Sequence, residues 1–164
     1  MQFVELFQSL HEAEVRYVLV GGLAVRMHGV DRSTLDIDLV LAMDDANLSR
    51  FIEMAKRLNF IPNIPVPMDA LKSPEQIDQW HREKGMVVFS FHAPGADLNV
   101  IDVLVKPVVT FEELAADSTK AAFMGRTVMI ASKRHLIRLK SDTGRLKDQQ
   151  DIQVLSTMLA SEEG

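Results

Sequence analysis

The stretch YVLVGGLAVRMHGVDRSTLDIDLVL, from Tyr17 to Leu41, decides how the rest of the chain is read. Tyr17-Val18-Leu19-Val20 is a short apolar run of β-branched and aromatic character, which predicts a buried strand. Gly21-Gly22 follows at once. Leu23 to His28 then reads as a short helix ended by Gly29, with His28 as part of its C-terminal cap. After a polar turn, Asp31-Arg32-Ser33-Thr34, comes a second strand, Leu35-Asp36-Ile37-Asp38-Leu39, with strict alternation.

Side chains two apart on a strand share a face. Leu35, Ile37 and Leu39 are therefore expected on one face, and Asp36 and Asp38 on the other. Like charges side by side on a pleated surface destabilise it, so a positive partner is expected. A hard divalent cation meets that need. Mg²⁺, or Mn²⁺ in its place, takes oxygen ligands, often one or two carboxylates plus substrate phosphates. The Gly-Gly turn supplies the other half. A helix that begins at glycine presents free N–H groups and the positive end of its dipole. With no Cβ in the way, a phosphate chain approaches the backbone closely. A phosphate cradle ahead of a carboxylate pair reads as a site for a metal-bound nucleotide.

Gly21-Gly22, the short helix and Arg32-Ser33-Thr34-Leu35-Asp36-Ile37-Asp38 together resemble the signature of the nucleotidyltransferase superfamily, the polymerase β-like fold. The likeness is greatest to small bacterial members found in abortive-infection and toxin–antitoxin systems and among antibiotic nucleotidyltransferases. The resemblance implies an α/β (α+β) chain with a central mixed β-sheet flanked by helices. It implies transfer of an NMP group from an NTP to a hydroxyl acceptor with Mg²⁺ or Mn²⁺. Asp36 and Asp38 would be metal ligands and catalytic. Gly21, Gly22, Arg32, Ser33 and Thr34 would lie on the nucleotide side.

A third carboxylate is expected on a neighbouring strand, to complete the metal site or act as general base. Asp102 is the first choice. It interrupts the apolar run Val100-Ile101-Asp102-Val103-Leu104, where a carboxylate is costly without a partner. Asp97, at the mouth of the same strand, is the competitor. The segment Gly125 to Leu155 extends the resemblance, which then runs from about Tyr17 to Leu155. By that match Lys140 faces the nucleotide phosphates, Arg145 and Lys147 assist, and Asp148 or Asp151 pairs with them. Residues 59–85 match nothing in the family.

The 164 residues are read as one domain, long enough for a core, with helices over 132–160 packing on the sheet. Hydrophobic residues make up 47% and charged residues 25%, which is ordinary for a globular chain. There is no cysteine, which excludes disulfides, thiolate zinc sites and cysteine nucleophiles. No secretory signal and no apolar run near ~20 residues is found, so a cytoplasmic, non-membrane protein is expected. The net charge of −5 argues against a protein that coats nucleic acid. Residues 118–148 nevertheless hold eight Lys or Arg against two Asp, a basic patch suited to a small polyanion.

Outside the signature, helices are expected over Gln2 to Ala13, from Asp44-Asp45 to Leu58, from Ser73-Pro74 to about Glu83, over Phe111 to Ala116, from Ser132 to about Lys140, and over Arg145 to Leu159. Strands are expected at Met86 to Phe91, Ala96 to Val105 and Thr127 to Ile130. Three prolines make 61–69 irregular. Trp80 is read as core rather than as a base-stacking platform.

Two function classes follow. The first is an enzyme whose acceptor is a protein, an RNA end such as tRNA, or a small molecule such as an antibiotic. The second is a non-catalytic or weakly catalytic nucleotide-binding partner, such as an antitoxin acting on a toxin protein. The sequence fixes neither the nucleotide, the acceptor nor the oligomeric state.

Overall fold

The alternating segment forms β2 (Asp36–Leu41), the central strand of a seven-stranded mixed sheet. The structure is a computed structural model and describes residues 3–93 and 100–163. On one side of β2 lies β1 (Tyr17–Val20), antiparallel to it. On the other lies β5 (Val100–Leu104), parallel to it. Beyond β5 come β4 (Val88–His92) and the two-residue edge strand β3 (Ile61–Pro62), each antiparallel to its inner neighbour. Beyond β1 come β7 (Arg126–Ile130), parallel to it, and the edge strand β6 (Thr119–Phe123), antiparallel to β7. With its helices this is the α/β arrangement of a mixed sheet expected above.

The alternation sorts the two faces of the sheet. Ile37, Leu39, Ile101, Val103, Phe89 and Phe91 are all buried. Helix α3 (Asp45–Arg57) helps cover them, with Phe51 set edge-on to Phe91 at 5.7 Å between ring centroids. Trp80, on α4 (Pro74–Lys84), lies 6.4 Å from Phe89 and packs on the core as expected. Asp36, Asp38, Asp102 and Ser90 occupy the alternate positions, on the opposite face.

One buried polar side chain ties this layer to the helices. Asn47 Nδ2 donates to the carbonyls of Ala42 (2.8 Å) and Arg16 (3.0 Å), and its Oδ1 accepts from Arg16 N (2.7 Å). Every polar atom of the amide is used, so its burial is not penalised. The contacts join the start of β1, the end of β2 and the first turn of α3.

Helix ends follow local chemistry. Asp44, Ser73, Thr110 and Ser132 each cap through a side-chain oxygen at the starts of α3, α4, α5 (Phe111–Ala116) and α6 (Lys133–Lys140). Gly144 then breaks the chain in a left-handed conformation before α7 (Leu146–Glu163), which runs four residues past the expected end. Helices α6 and α7 pack on each other, and α6 also meets α2 (Gly21–Met27). Leu136 and Leu155 carry that pair into the core. The first helix, α1 (Phe3–Glu12), buries Leu6, Phe7 and Leu10.

Several expectations are corrected. Leu35 precedes β2 and is 54% exposed, so it does not share the buried face of Ile37 and Leu39. β6 was not expected, because Thr119-Lys120-Ala121-Ala122-Phe123 carries two alanines, which are poor strand formers. It forms through a two-residue turn in which Met124 and Gly125 both have positive φ, the geometry that suits a hairpin's twist. The ring of Phe123 then packs against Phe3 and Phe7. The proline-rich stretch is not wholly irregular either. It contributes β3, where a proline is tolerated at the sheet edge, and a 3-10 helix at Met68–Lys72. β4 starts and ends later than expected, and His92 belongs to it rather than to a turn. Residues 94–99, including the alternative carboxylate Asp97 and the expected start of β5, lie outside the described residues. Among the described residues no helix is long and apolar enough to cross a membrane.

Candidate active site

Parallel pairing of β2 and β5 sets Asp38 directly beside Asp102, with Asp36 two residues upstream on the same face. Ser90 is the residue of β4 opposite Asp102, and its Oγ donates to Asp102 Oδ1 at 2.6 Å. The three carboxylates feel one another. Burial, then Asp102 and Asp36, pushes Asp38 up to about 7; Lys140 and Arg145 offset only part of that. Asp36 is raised as well, by desolvation and then by Asp102. Burial and the neighbouring carboxylates together outweigh the cations at Asp38. As the side chains stand, no three acidic or imidazole groups among the described residues close into a ready-made metal cage.

The Gly-Gly turn is shaped by this cluster. Gly21 has φ +71°, and a Cβ there would lie 2.1 Å from Asp38 Oδ2. A Cβ on Gly22 would meet the Arg32 guanidinium carbon at 3.0 Å and Thr34 Oγ1 at 3.2 Å. The missing side chains thus make room for Asp38 and for Arg32 with Thr34. The expectation that the turn stands bare for phosphate is corrected in that respect. His28 occupies the C-cap position of α2 as expected. Its Nε2 lies 2.8 Å from the Ala131 carbonyl, and burial lowers its pKa.

The cations converge from two directions. Arg32, from the loop before β2, sends Nε to both oxygens of Asp151 at 2.9 Å. Lys140, at the end of α6, sends Nζ to Asp148 at 3.0 Å and Asp151 at 3.1 Å. Thr143 and Arg145 complete the group by donating to Asp148 Oδ2 at 2.6 and 2.8 Å. Burial pushes the Asp148 carboxyl up, but hydrogen bonds from Thr143, Lys140 and Arg145 outweigh it and hold it below its ordinary value. Lys140, Asp148 and Asp151 are all buried. Lys140 thus lines the cleft while two carboxylates, Asp148 and Asp151, hold its ammonium group. Arg145, with its side chain 75% exposed, is the open cation of the cluster.

The carboxylates of β2 and β5, the Gly21-Gly22 turn and the cations of the α6–α7 junction line one cleft of about 990 Å³. Its walls include Gly21, Gly22, Arg32, Ser33, Thr34, Asp36, Asp38, Asp102, Lys140 and Arg145; of the further residues named from the sequence, Lys147 and Asp148 also line it and Asp151 does not. Ser90, Thr143 and Lys106 were not singled out. Ser90 and Thr143 act through carboxylates that only the folded chain brings to them. Lys106 lines the opposite wall and pairs with Asp78.

No protein-family model and no curated protein sequence matches this chain. Solved structures do. The antibiotic-resistance factor ANT(2'')-Ia superposes with a TM-score of 0.61 at 13% identity, over 97% of this chain and 83% of its own. The lincosamide antibiotic adenylyltransferase LnuA, bound to lincomycin, gives 0.60 at 15% identity, over 95% of this chain and 97% of its own. An antigenic nucleotidyltransferase-like protein from Paracoccidioides brasiliensis gives 0.54 at 19%, over 94% and 72%. The chain has the nucleotidyltransferase fold. In this nucleotidyltransferase-fold chain the cleft is bounded by the face of β2 and β5 that bears the carboxylates, by the turn into α2, and by the α6–α7 junction.

Proposed function

We propose that the protein is a metal-dependent nucleotidyltransferase. One observation carries the reading: three carboxylates on adjacent strands share a single cleft with a glycine turn and the cations of α6 and α7. The donor set fits a hard divalent cation. It offers carboxylate oxygens on neighbouring positions of β2 and β5. Asp36 and Asp38 hold Mg²⁺ or Mn²⁺, with Asp102 as third ligand or base. The bound cation supplies charge neutralisation at the transferring phosphoryl group.

The chain's own groups do the rest. Arg145 and Lys147, both exposed in the cleft, receive the triphosphate. Arg32 and Lys140 are held along the same wall by Asp148 and Asp151. The Gly21-Gly22 turn, with Ser33 and Thr34 opposite, bounds the nucleotide's place. An acceptor hydroxyl gives its proton to Asp102 and attacks the α-phosphorus in line. The new P–O bond forms as the bond to the β-phosphate oxygen breaks, and pyrophosphate leaves.

The test is calorimetric binding of ATP, CTP, GTP and UTP with and without Mg²⁺, to the wild type and to Asp36→Asn/Asp38→Asn. Cation-dependent binding that the double variant loses is the expected result. Binding of no nucleotide by the folded wild type would sink the reading. Binding that persists in the double variant would remove the carboxylates from it. Nucleotide binding without transfer to any acceptor would favour the second class, a nucleotide-binding partner protein.

A further inference from the structure

The carboxylate face continues past Asp102 along β4 and β5. There Val88 on β4 pairs with Leu104 on β5, one step along from the Ser90–Asp102 pair. On the opposite face Phe89 and Val103 are fully buried, whereas Val88 and Leu104 are only half-buried. The surface widens at both ends of this pair. Val105 N donates to the Val87 carbonyl at 2.9 Å, which keeps the two flanking segments together. Val87 is 47% exposed and Val108 57%. These residues and Pro107 all line the cleft. Single exposed valines need no explanation. A continuous apolar surface opening beside a candidate catalytic carboxylate is what a ligand site presents.

Charge divides the cleft. Arg32, Lys140, Arg145 and Lys147 belong to the wall made by the α6–α7 junction and the loop before β2. Beyond Asp102 the one ionisable lining residue among those described is Lys106, and it is paired with Asp78. A triphosphate is matched by the first wall. A polycationic aminosugar finds no free carboxylate on the second, and a nucleic acid backbone finds a single, already paired ammonium group. A volume of about 990 Å³ lies at the top of the ~300–1,000 Å³ range of one-ligand pockets, which leaves room for a nucleotide and one small further molecule.

We propose that the β4–β5 surface formed by Val87, Val88, Leu104 and Val108 is the acceptor subsite, and that it takes a small uncharged alcohol with an apolar flank. The acceptor role rests on the nucleotidyl-transfer reading; the chemistry of the surface stands without it. The apolar flank lies on the valines and Leu104, and the hydroxyl faces Asp102.

The test is an amide-resolved NMR titration of the full chain. The probe is octyl β-D-glucopyranoside below its micelle-forming concentration, an uncharged alcohol with an apolar flank. Tobramycin and a short RNA with a free 3′-hydroxyl are titrated in parallel. The glucoside is expected to shift the amides of Val87, Val88, Leu104 and Val108. Val87→Asn/Val108→Asn, two uncharged substitutions at exposed positions, is expected to weaken it at least tenfold. Nucleotide affinity, measured by calorimetry on the same variant, stays unchanged. Preferential shifts of these amides by tobramycin or RNA overturn the proposal, as does glucoside binding that the variant does not weaken, or no binding of the glucoside at all. A wild type that binds the glucoside here but no nucleotide overturns the transfer reading and the acceptor role with it. Nucleotide binding with these amides unmoved by the glucoside overturns the subsite alone.

Discussion

Asp38 occupies the space that a side chain on Gly21 would need, 2.1 Å from its ideal Cβ position. The left-handed φ of +71° adds a second reason for glycine there. Gly21→Ala must strain the backbone and displace the carboxylate together. The expected loss of stability in urea exceeds about 1 kcal/mol, and nucleotide transfer falls with it. Gly22 is a useful contrast. Its φ is not in the left-handed region, and its Cβ would meet the far end of the Arg32 side chain at 3.0 Å. Gly22→Ala is expected to cost less, because the approach is 3.0 Å rather than 2.1 Å and no left-handed backbone strain is added. Equal losses in the two variants would contradict this account of the turn.

The raised Asp38 sets a pH dependence of stability for the metal-free protein. Its carboxyl moves from an ordinary 3.8 up to about 7, so between those values the folded chain holds a proton that the unfolded chain has lost. Stability therefore falls as pH rises through that window, and the contribution is fully present only below about 4. Asp38→Asn removes the penalty. In the presence of a chelator the variant should be more stable than the wild type at pH 8, by roughly 1–3 kcal/mol. The difference should vanish near pH 4. Thermal melts across that range, with and without Mg²⁺, read both effects. A wild type that gains stability from pH 4 to 8 relative to the variant would reverse the sign.

Much of this site was legible because it is local. Val20-Gly21-Gly22 and Asp36-Ile37-Asp38 are written in composition and period, and the period of two puts both aspartates on one face without any tertiary information. Asp102 was legible from its cost: a carboxylate within a run of Val, Ile and Leu needs a reason. What the sequence could not supply was the register between strands. That Ser90 falls opposite Asp102, or that Val88 pairs with Leu104, depends on how β4 and β5 align. The pairing of the C-terminal cations with Asp148 or Asp151 was expected, but that Lys140 meets both carboxylates and that Asp151 also holds Arg32 depended on the angle at which α7 returns after Gly144. β6 was missed because its strand signal is weak and its hairpin depends on a Met-Gly turn.

Asp151 is the shared counter-ion of Arg32 and Lys140, and so fastens the signature loop to the C-terminal helices. Its side chain is 7% exposed, so salt screens the contacts little. Asp151→Ala leaves two cations beside one remaining carboxylate, Asp148. The expected loss is roughly 3 kcal/mol, and it should persist when the salt concentration is raised. The exposed pair Arg134–Glu163 provides the control. Removing it should cost under about 1 kcal/mol, with the difference shrinking in salt. Urea unfolding at low and high salt distinguishes the two. A small, salt-sensitive loss at Asp151 would mean that the cluster is a surface feature.

In the proposed reaction Ser90 is a positioning residue that works through Asp102. Its Oγ donates to Asp102 Oδ1 at 2.6 Å, which fixes one oxygen and leaves the other for a proton or a cation. A hydrogen bond to a charged group contributes about 1.5–3 kcal/mol, most of it here to the orientation of the carboxylate. Ser90→Ala should lower kcat by roughly ten- to a hundredfold, which is that energy read as rate. The affinity for nucleotide, proposed to rest on Arg145 and Lys147, should hold steady. Ser90→Thr restores the hydroxyl on a side chain that suits a strand, and should recover most of the rate. Steady-state kinetics for the three proteins, with nucleotide affinity measured separately, make the comparison. If alanine and threonine behaved alike, Ser90 would be filling space, and the orientation of Asp102 would have to come from the strand alone.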